Sequence, residues 1–136
     1  MRDCIFCRIG AGQAPAEKIL ETPRVLAFLD IAPVHYGHTL VIPKTHHETL
    51  LDLPDELWLD MGQACRRVAQ ALRQVLYARG FNIGMNNFEA AGQVVFHAHM
   101  HVIPRHRGDG LELFPQASYG RGDLARVGEQ LRQALK

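Results

Sequence analysis

Phe96-His97-Ala98-His99-Met100-His101-Val102-Ile103-Pro104 places three histidines at alternate positions among apolar residues. Successive side chains of a β-strand point to opposite faces, so alternate residues share a face. The stretch therefore predicts a strand over 97–103 with Ala98, Met100 and Val102 facing a core. The three imidazoles would then line the opposite face. Three titratable side chains in register indicate a reaction centre or a metal site rather than an ordinary solvent-facing strand.

The segments around this stretch predict further strands and one long helix. Apolar residues recur at three- and four-residue spacing between Pro54 and Gly80, and these two residues are typical of helix ends. We therefore expect a helix over 55–79 and, from a shorter pattern, a terminal helix over 124–135. Turn residues bound the predicted strands, which are 17–21, 24–30, 39–42, 81–86 and 97–103. These elements predict an α+β domain built on an antiparallel meander sheet of about five strands.

Composition excludes several classes of protein. The chain has 136 residues, with 15 basic and 14 acidic side chains and a net charge of +1, which argues against nucleic-acid binding through bulk charge. No stretch reaches the ~18 apolar residues of a membrane span, and the first residues lack the apolar run of a signal peptide. Three cysteines do not make a disulfide framework. We expect one domain over 1–136 in a reduced, cytoplasmic setting, with neither nucleic acid nor membrane as a partner.

Spacing along the predicted strand divides the three histidines. Same-face neighbours on a strand lie roughly 6.5–7 Å apart, so the backbones of His97 and His101 would be about 13 Å apart. Neighbouring pairs can act on one small group, but all three cannot do so unless the strand bends. A neutral imidazole can attack phosphorus or coordinate zinc, and the residues alone leave both roles open.

A glycine-containing segment leads into the triad. Ala91-Gly92-Gln93 follows Asn86 and Asn87 by a few residues. Glycine allows backbone N–H groups to approach an anion, and amide side chains supply neutral donors for phosphate or sugar oxygens. Such a tripeptide alone is more typical of a turn, but its position just before three aligned histidines makes the segment a candidate phosphate-binding loop.

Two cysteines lie near the start of the chain. Cys4 and Cys7 have the spacing of a zinc-chelating pair, which would need two more ligands, or of a redox dithiol. No strand precedes them as a thioredoxin-like site requires. Cys65 falls on the apolar face of the predicted long helix and is expected to be a core residue.

Jointly these motifs resemble the histidine triad (HIT) superfamily of nucleotide hydrolases and transferases. The His-x-His-x-His run preceded by Ala-Gly-Gln carries the resemblance, and the segments 26–30 and 37–44 are similar to the family's ribose-binding strand and second signature. The cysteine pair is similar to that of many bacterial members. The resemblance covers about residues 4–105 and leaves 106–136 as a C-terminal tail. It implies a HIT-like fold and an enzyme of the nucleotide-binding (Hint-like) branch.

The resemblance also implies roles for individual residues. His99 matches a nucleophile that attacks the α-phosphorus of a purine nucleotide conjugate, forming a nucleotidyl-histidine and releasing a nucleoside monophosphate. His101 matches the histidine that contacts the phosphate and assists the leaving group. Asp30 matches a ribose-binding carboxylate, and His38 a histidine behind the nucleophile. The other implied nucleotide contacts are Phe6, Phe28, Leu29, Asn86, Gly92, Gln93 and Val94.

Position 94 departs from the family pattern. Many members have serine or threonine there, with a hydroxyl that contacts the phosphate or the leaving group, whereas this chain has Val94. The leaving group therefore stays open among phosphoramidates, acyl-adenylates and dinucleoside polyphosphates. Two other functions also stay open: a nucleotide-binding or scaffold protein with little turnover, and a zinc-dependent hydrolase that uses the triad as metal ligands.

In members with the cysteine pair, two histidines complete a closed zinc site. Here they correspond to His46 and His97, so the resemblance implies that Cys4, Cys7, His46 and His97 bind a structural Zn²⁺, with no catalytic metal. Its alternative ligand is His47 in place of His46. The family usually forms homodimers, which implies a homodimer here. Two further histidines, His35 and His106, are expected to be solvated loop residues.

Overall fold

The computed structural model describes residues 3–112 and 114–136. Its strands are β1 (Lys18–Glu21), β2 (Val25–Leu29), β3 (Thr39–Pro43), β4 (Gly80–Gly84) and β5 (Met100–Arg105), and its helices are α1 (Ile5–Gly10), α2 (Asp55–Val75) and α3 (Asp123–Ala134). Within the described residues the strands form one antiparallel sheet in the order β1-β2-β3-β5-β4. The predicted α+β fold with an antiparallel sheet of five strands is confirmed. The predicted meander is interrupted once, because β5 lies between β3 and β4.

The long helix α2 covers one face of the sheet. Its residues Leu57, Met61 and Cys65 are buried against β2, β3 and β5, as the apolar spacing predicts. The helix ends at Val75, earlier than the predicted end at residue 79. Its end coincides with a left-handed turn at Tyr77, where φ is 57°.

A second apolar cluster lies on the opposite face of the sheet. Phe6 and Ile9 of α1 pack there against side chains of β2 and β3. This is why Val25–Phe28 is apolar at every position: both faces of β2 are buried. The helix α1 is not predicted from the sequence, because its six residues are too few to show a clear helical period.

The strand that carries the triad is shorter than predicted. β5 begins at Met100, so His97, Ala98 and His99 lie in the segment that approaches it. The backbone N–H of Ala98 is 2.6 Å from the His47 carbonyl oxygen, to which it donates, and this bond ties the segment to the loop after β3. The predicted inward facing of Ala98, Met100 and Val102 is confirmed, because all three lie in the core beneath α2.

The C-terminal helix α3 begins and ends within a residue of the predicted bounds. All of its residues are at least partly exposed. In the described part of the chain, no helix combines the length and the apolar character needed to cross a bilayer.

A buried carboxylate closes the turn after β5. The Asp109 side chain accepts two hydrogen bonds from the Arg105 guanidinium, at 2.9 and 3.0 Å, and a third from the backbone N–H of His106. His35 Nε2 lies 3.1 Å from the same carboxylate, and the rings of His35 and His106 are in edge contact. The two histidines lie in loops, as expected, but they are half-buried rather than solvated. They connect the loop after β2 to the turn after β5.

Asp109→Asn is expected to lower the melting temperature at pH 7 and to have less effect in acid. The Arg105 guanidinium holds the pKa of the Asp109 carboxyl well below its usual range. A carboxylate with a depressed pKa adds stability above its unfolded-state pKa of about 3.9, and this contribution is lost as the pH falls towards the folded value. Thermal melts at pH 7 and below pH 4 measure the difference between wild type and variant. Glu17→Gln, at an exposed carboxylate, is the control, and equal melting temperatures at pH 7 would contradict the assignment.

Candidate active site and metal centre

The three triad histidines divide between two neighbouring clusters. His97 lies among Cys4, Cys7 and His46, whereas the rings of His99 and His101 lie side by side with centroids 5.1 Å apart. Because His97 precedes β5, the period-two geometry of the strand does not hold its ring on the side of the other two. The division predicted from strand spacing is thus observed, with the bend at the start of the strand as its cause.

The first cluster has the geometry of a four-ligand metal site. His97 Nδ1 lies 3.5 Å from Cys4 Sγ and 3.6 Å from Cys7 Sγ, and Cys7 Sγ lies 3.3 Å from His46 Nδ1. All four ligand atoms are within 4.8 Å of one another. Tetrahedral zinc with two sulfur and two nitrogen ligands holds its ligand atoms roughly 3.3–3.8 Å apart, so the donor set and its spacing are consistent with zinc.

The hydrogen bonds of His97 orient its ring towards the two sulfurs. Its Nε2 is 2.7 Å from the carbonyl oxygen of Pro43, which can only accept, so Nε2 carries the proton and Nδ1 keeps a lone pair. Burial lowers the pKa of His97 to about 4, and the ring is therefore neutral near pH 7. A carbonyl that holds the second ring nitrogen is the usual support of a metal-binding histidine.

Helix α1 brings the two cysteines together. Cys4 is its N-cap residue and accepts a hydrogen bond from the Cys7 backbone N–H, which places both sulfurs at the same end of the helix. His46 enters from the loop after β3. Its neighbour His47 lies outside the cluster and pairs with the Thr45 hydroxyl at 2.9 Å instead. Between the two histidines that the sequence left open, the geometry favours His46.

His99 presents an unprotonated nitrogen to the second cluster. Its Nδ1 donates to the His97 carbonyl oxygen at 2.7 Å, so Nε2 keeps its lone pair. The residue is 8% exposed, and the edge of the Phe6 ring packs against it with centroids 5.1 Å apart. Burial lowers its pKa, which keeps the ring neutral. A neutral, oriented imidazole with a free lone pair is suited to nucleophilic attack.

His101 presents a protonated nitrogen to the second cluster. Its Nδ1 lies 2.9 Å from His38 Nε2, and the backbone N–H of Val34 donates to His38 Nδ1 at 3.0 Å. His38 Nδ1 is therefore an acceptor, the His38 proton is on Nε2, and His101 accepts it at Nδ1. Burial, reinforced by the neighbouring imidazoles, lowers the pKa of His101 to about 4, so the neutral ring carries its proton on Nε2.

The position of His38 corrects one expectation. The resemblance implied a histidine behind the nucleophile, but the His38 side chain is hydrogen-bonded to His101 rather than to His99. Burial lowers the pKa of His38 and keeps this ring neutral too. The partner of His99 Nδ1 is the His97 backbone carbonyl rather than a histidine ring.

An apolar pocket opens beside His99 and His101. It has a volume of about 350 Å³, and its wall includes Phe6, Phe28, Leu29 and Asp30, as predicted for a nucleoside site. One oxygen of Asp30 accepts a hydrogen bond from the Ala32 backbone N–H, and the other lies 3.7 Å from His38 Nε2. A mostly apolar pocket with one carboxylate at its end fits an aromatic base joined to a polyhydroxyl sugar.

The glycine-containing segment is closed by the side chain of Gln93. Its Oε1 accepts from the Phe88 backbone N–H at 2.7 Å, and its Nε2 donates to the carbonyl oxygens of Glu48 and Val95 at 2.6 and 3.1 Å. Both N–H groups of this amide have backbone partners, so the Gln93 side chain holds the loop in shape. Gly92 adopts a left-handed φ of 94°, which glycine tolerates without strain.

Two other predicted contacts of this segment are exposed. Val94 is 85% exposed on the rim of a surface pocket that also touches Cys4 and His46. Asn86 lines a separate pocket on the other side of His101, where its amide lies close to Gly92. His101 lines both this pocket and the apolar pocket beside His99.

Comparison with known proteins identifies the family. A family model described as the HIT domain matches residues 11–108. The chain belongs to the HIT family. The protein hit of Bacillus subtilis is 51% identical to this HIT chain over 109 residues, covering 79% of the chain and 75% of that protein. An adenosine 5'-monophosphoramidase of Schizosaccharomyces pombe is 36% identical over 135 residues, covering 98% of both.

A solved HIT structure bears on the metal cluster. The crystal structure of a Zn-bound histidine triad family protein from Mycobacterium smegmatis matches this chain with a TM-score of 0.78 and 43% identity, over 97% of each chain. Together with the Cys/His cluster described above, this makes a zinc ion in this HIT protein consistent with both the fold and the donor set.

Several groups in the site could not be found from residue types. The Pro43 carbonyl, the His97 carbonyl and the Val34 amide orient three of the four histidines, and all three are backbone groups. Every residue offers such groups, so no pattern of side chains distinguishes these positions. The helix α1 likewise carries two of the metal-site residues without a sequence signal of its own.

Gln93→Ala is expected to destabilise the fold rather than to remove a phosphate ligand. The residue is 3% exposed, and its loss leaves the Phe88 amide and the Glu48 carbonyl without their partners. An unsatisfied buried polar group costs roughly 1–3 kcal/mol. Urea unfolding measures the loss, and Glu89→Ala, an exposed change in the same segment, is expected to cost less than ~0.5 kcal/mol. Equal midpoints for the two variants would contradict the role assigned to the amide.

Proposed function

We propose that this HIT protein is a nucleotide hydrolase or transferase that attacks the α-phosphorus of a purine nucleotide conjugate through a nucleotidyl-histidine. The observation that carries this proposal is that a hydrogen-bond acceptor nitrogen and a donor nitrogen lie on two adjacent histidine rings. His99 offers a lone pair on Nε2, and 5.1 Å away, ring to ring, His101 offers a proton on Nε2. A nucleophile beside a hydrogen-bond donor that stabilises the leaving group is suited to displacement at phosphorus.

The proposed reaction proceeds in two displacements. His99 Nε2 forms a bond to the α-phosphorus while the bond from phosphorus to the leaving group breaks. The leaving group takes its electron pair, the hydrogen bond from His101 Nε2 stabilises its developing negative charge, and it gains a proton from solvent water. Water then attacks the phosphorus and releases a proton to solvent, and the P–N bond to His99 breaks. The products are a nucleoside monophosphate and the free leaving group, and both histidines return to their initial states.

The pocket beside the two histidines is proposed to hold the nucleoside. Phe6 and Phe28, which meet edge to face at 5.6 Å, would form apolar walls for the base. The Asp30 carboxylate is an acceptor with two oxygens, which suits two ribose hydroxyls. The described walls offer few donors that would distinguish one purine from another, so we propose loose selection among purines. Phosphoramidates, acyl-adenylates and dinucleoside polyphosphates remain the candidate substrates.

Cys4, Cys7, His46 and His97 are proposed to hold a structural zinc ion. When bound, zinc would cross-link α1 to the loop after β3 and to the triad segment. Four protein ligands close a tetrahedral site and leave no position for substrate. His97 also serves the second cluster, because its backbone carbonyl accepts the hydrogen bond from His99 Nδ1. A hydrolase in which the triad itself binds a catalytic metal is disfavoured, because His38 donates to Nδ1 of His101 and so leaves a proton on the Nε2 that would have to bind the metal.

A second copy of the chain is the proposed partner. Strand β4 lies at the edge of the sheet and, among the described residues, pairs only with β5. Its side chains Phe81 and Ile83 are partly exposed beside an apolar groove of about 520 Å³ that also includes Trp58 of α2. An unpaired edge strand beside an apolar groove is typical of a surface that a partner covers. We propose that this surface is the interface of a homodimer.

Wild-type protein mixed with an adenosine phosphoramidate is expected to acquire an adenylyl group on His99. Rapid acid quench and peptide mass spectrometry locate the group. His99→Ala is expected to show no adduct and a loss of turnover of several orders of magnitude, because the nucleophile is gone. His47→Ala, a nearby histidine outside both clusters, should keep the adduct. An adduct on another residue would refute the nucleophile, and tight AMP binding without any adduct would favour a binding protein instead.

Cys4→Ala is expected to abolish stoichiometric zinc. A site that loses one of two thiolates keeps too few strong ligands to retain the ion through gel filtration. Metal analysis of purified protein should give about one zinc per chain for the wild type and for His47→Ala, and far less for Cys4→Ala and His46→Ala. Full zinc content in Cys4→Ala would overturn the ligand set. Loss in His47→Ala with retention in His46→Ala would exchange the two histidines.

A further inference from the structure

A backbone amide faces the histidine pair from the loop after β2. The N–H of Val34 donates to His38 Nδ1 at 3.0 Å, whereas the Val34 side chain is 53% exposed. A neutral imidazole carries one proton, on either of its two nitrogens. A backbone amide can donate a proton but cannot accept one, so it selects the form of His38 with its proton on Nε2.

This choice sets the direction of the hydrogen bonds that follow. With its proton on Nε2, His38 donates to His101 Nδ1, and the His101 proton must be on Nε2, next to both pockets. With the proton of His38 on Nδ1, the chain would reverse. His101 would then donate from Nδ1 to His38 and would have only a lone pair on Nε2. In that state it has no proton for a leaving group.

The same amide bears on a second group of potential metal ligands. Asp30, His38 and His101 each offer a ligand atom, and these atoms lie within 4.8 Å of one another. Two imidazoles and one carboxylate are a common set for a divalent transition metal. To bind a metal here, His38 Nε2 would have to release its proton to Nδ1, where the hydrogen would meet the Val34 N–H. The three ligand atoms are close enough to share one metal ion, but the proton on His38 Nε2 opposes its binding.

We propose that the backbone N–H of Val34 is a positioning group that holds the His38–His101 pair in its proton-donating arrangement and excludes metal from Asp30, His38 and His101. The catalytic part of this inference depends on the proposed function, whereas the exclusion of metal does not. Exclusion matters in this protein because the Cys/His cluster that suits zinc lies next to the pair, with His97 and His101 only four residues apart. Asp30 is the charged group that faces His38, and the other ring neighbour of His101 is the neutral His99.

Long-range ¹H–¹⁵N NMR of the wild-type imidazoles tests the arrangement directly. The spectrum distinguishes protonated from unprotonated ring nitrogens, and His38→Gln and His101→Gln assign the signals. We expect both His38 and His101 to carry their proton on Nε2. A proton on Nδ1 of His38 in the wild-type protein would overturn the proposal without any variant at position 34.

Val34→Pro removes the N–H while Val34→Ala keeps it, so the two variants form a matched pair. For Val34→Pro we expect loss of the single His38 form in the spectrum and a fall in kcat of roughly 10²-fold, with KM within about twofold, since the hydrogen bond from His101 to the leaving group is weakened. Val34→Ala keeps the N–H and should keep the single His38 form in the spectrum. Circular dichroism and thermal melts establish that the proline variant is folded. If it is not, the wild-type spectrum decides alone.

Titration with Zn²⁺ separates this proposal from the proposed function. We expect wild type and Val34→Ala to bind one equivalent of zinc. Val34→Pro should bind a second equivalent, and adding Asp30→Asn to Val34→Pro should abolish it. If the spectra and the zinc stoichiometry follow this pattern but no variant hydrolyses a nucleotide conjugate, the role of the amide stands and the proposed function fails. If Val34→Pro keeps the wild-type spectrum and one equivalent of zinc, the role of the amide is refuted even if the enzyme is active.

Discussion

The hydrogen bond from His97 Nε2 to the Pro43 carbonyl is the contact on which both clusters depend. It anchors the segment before β5 to the end of β3, and it turns His97 Nδ1 towards the two cysteines. Because His97 is thereby held at both edges of its ring, its backbone carbonyl is also held, and that carbonyl is the acceptor for His99 Nδ1. A single buried contact therefore orients a candidate metal ligand and the candidate nucleophile together.

The chemistry of the site resides in the direction of its hydrogen bonds rather than in its residue types. Four neutral histidines lie within one region, and their side chains are chemically identical. Backbone groups make them different: carbonyls fix the proton of His97 on Nε2 and that of His99 on Nδ1, and an amide fixes that of His38 on Nε2. Burial supports this arrangement, because it lowers the pKa values of all four and keeps each ring to a single proton.

Much of the fold could be predicted, because its elements follow from local periodicity. The buried face of α2 and the inward residues Ala98, Met100 and Val102 were read from spacing alone. The differences occur where backbone conformation or a tertiary contact overrides side-chain periodicity. The end of α2 coincides with the left-handed turn at Tyr77, and the start of β5 at Met100 leaves room for the Ala98 amide to bond to a distant loop. The bonds of the Gln93 amide to the backbone of the loop after β3 likewise could not be predicted from its residue type.

The sequence by itself determined the alternating histidines, the cysteine pair and the apolar periods, and with them the fold class and the inventory of reactive groups. Only the tertiary structure decided which histidine meets which partner. His46 rather than His47 joins the cysteines, and His38 lies behind His101 rather than behind His99. The physical reason is that a side-chain pattern is encoded position by position, whereas the carbonyls and amides that orient these rings are common to all residues. Their placement exists only once strands and loops far apart in the chain have come together.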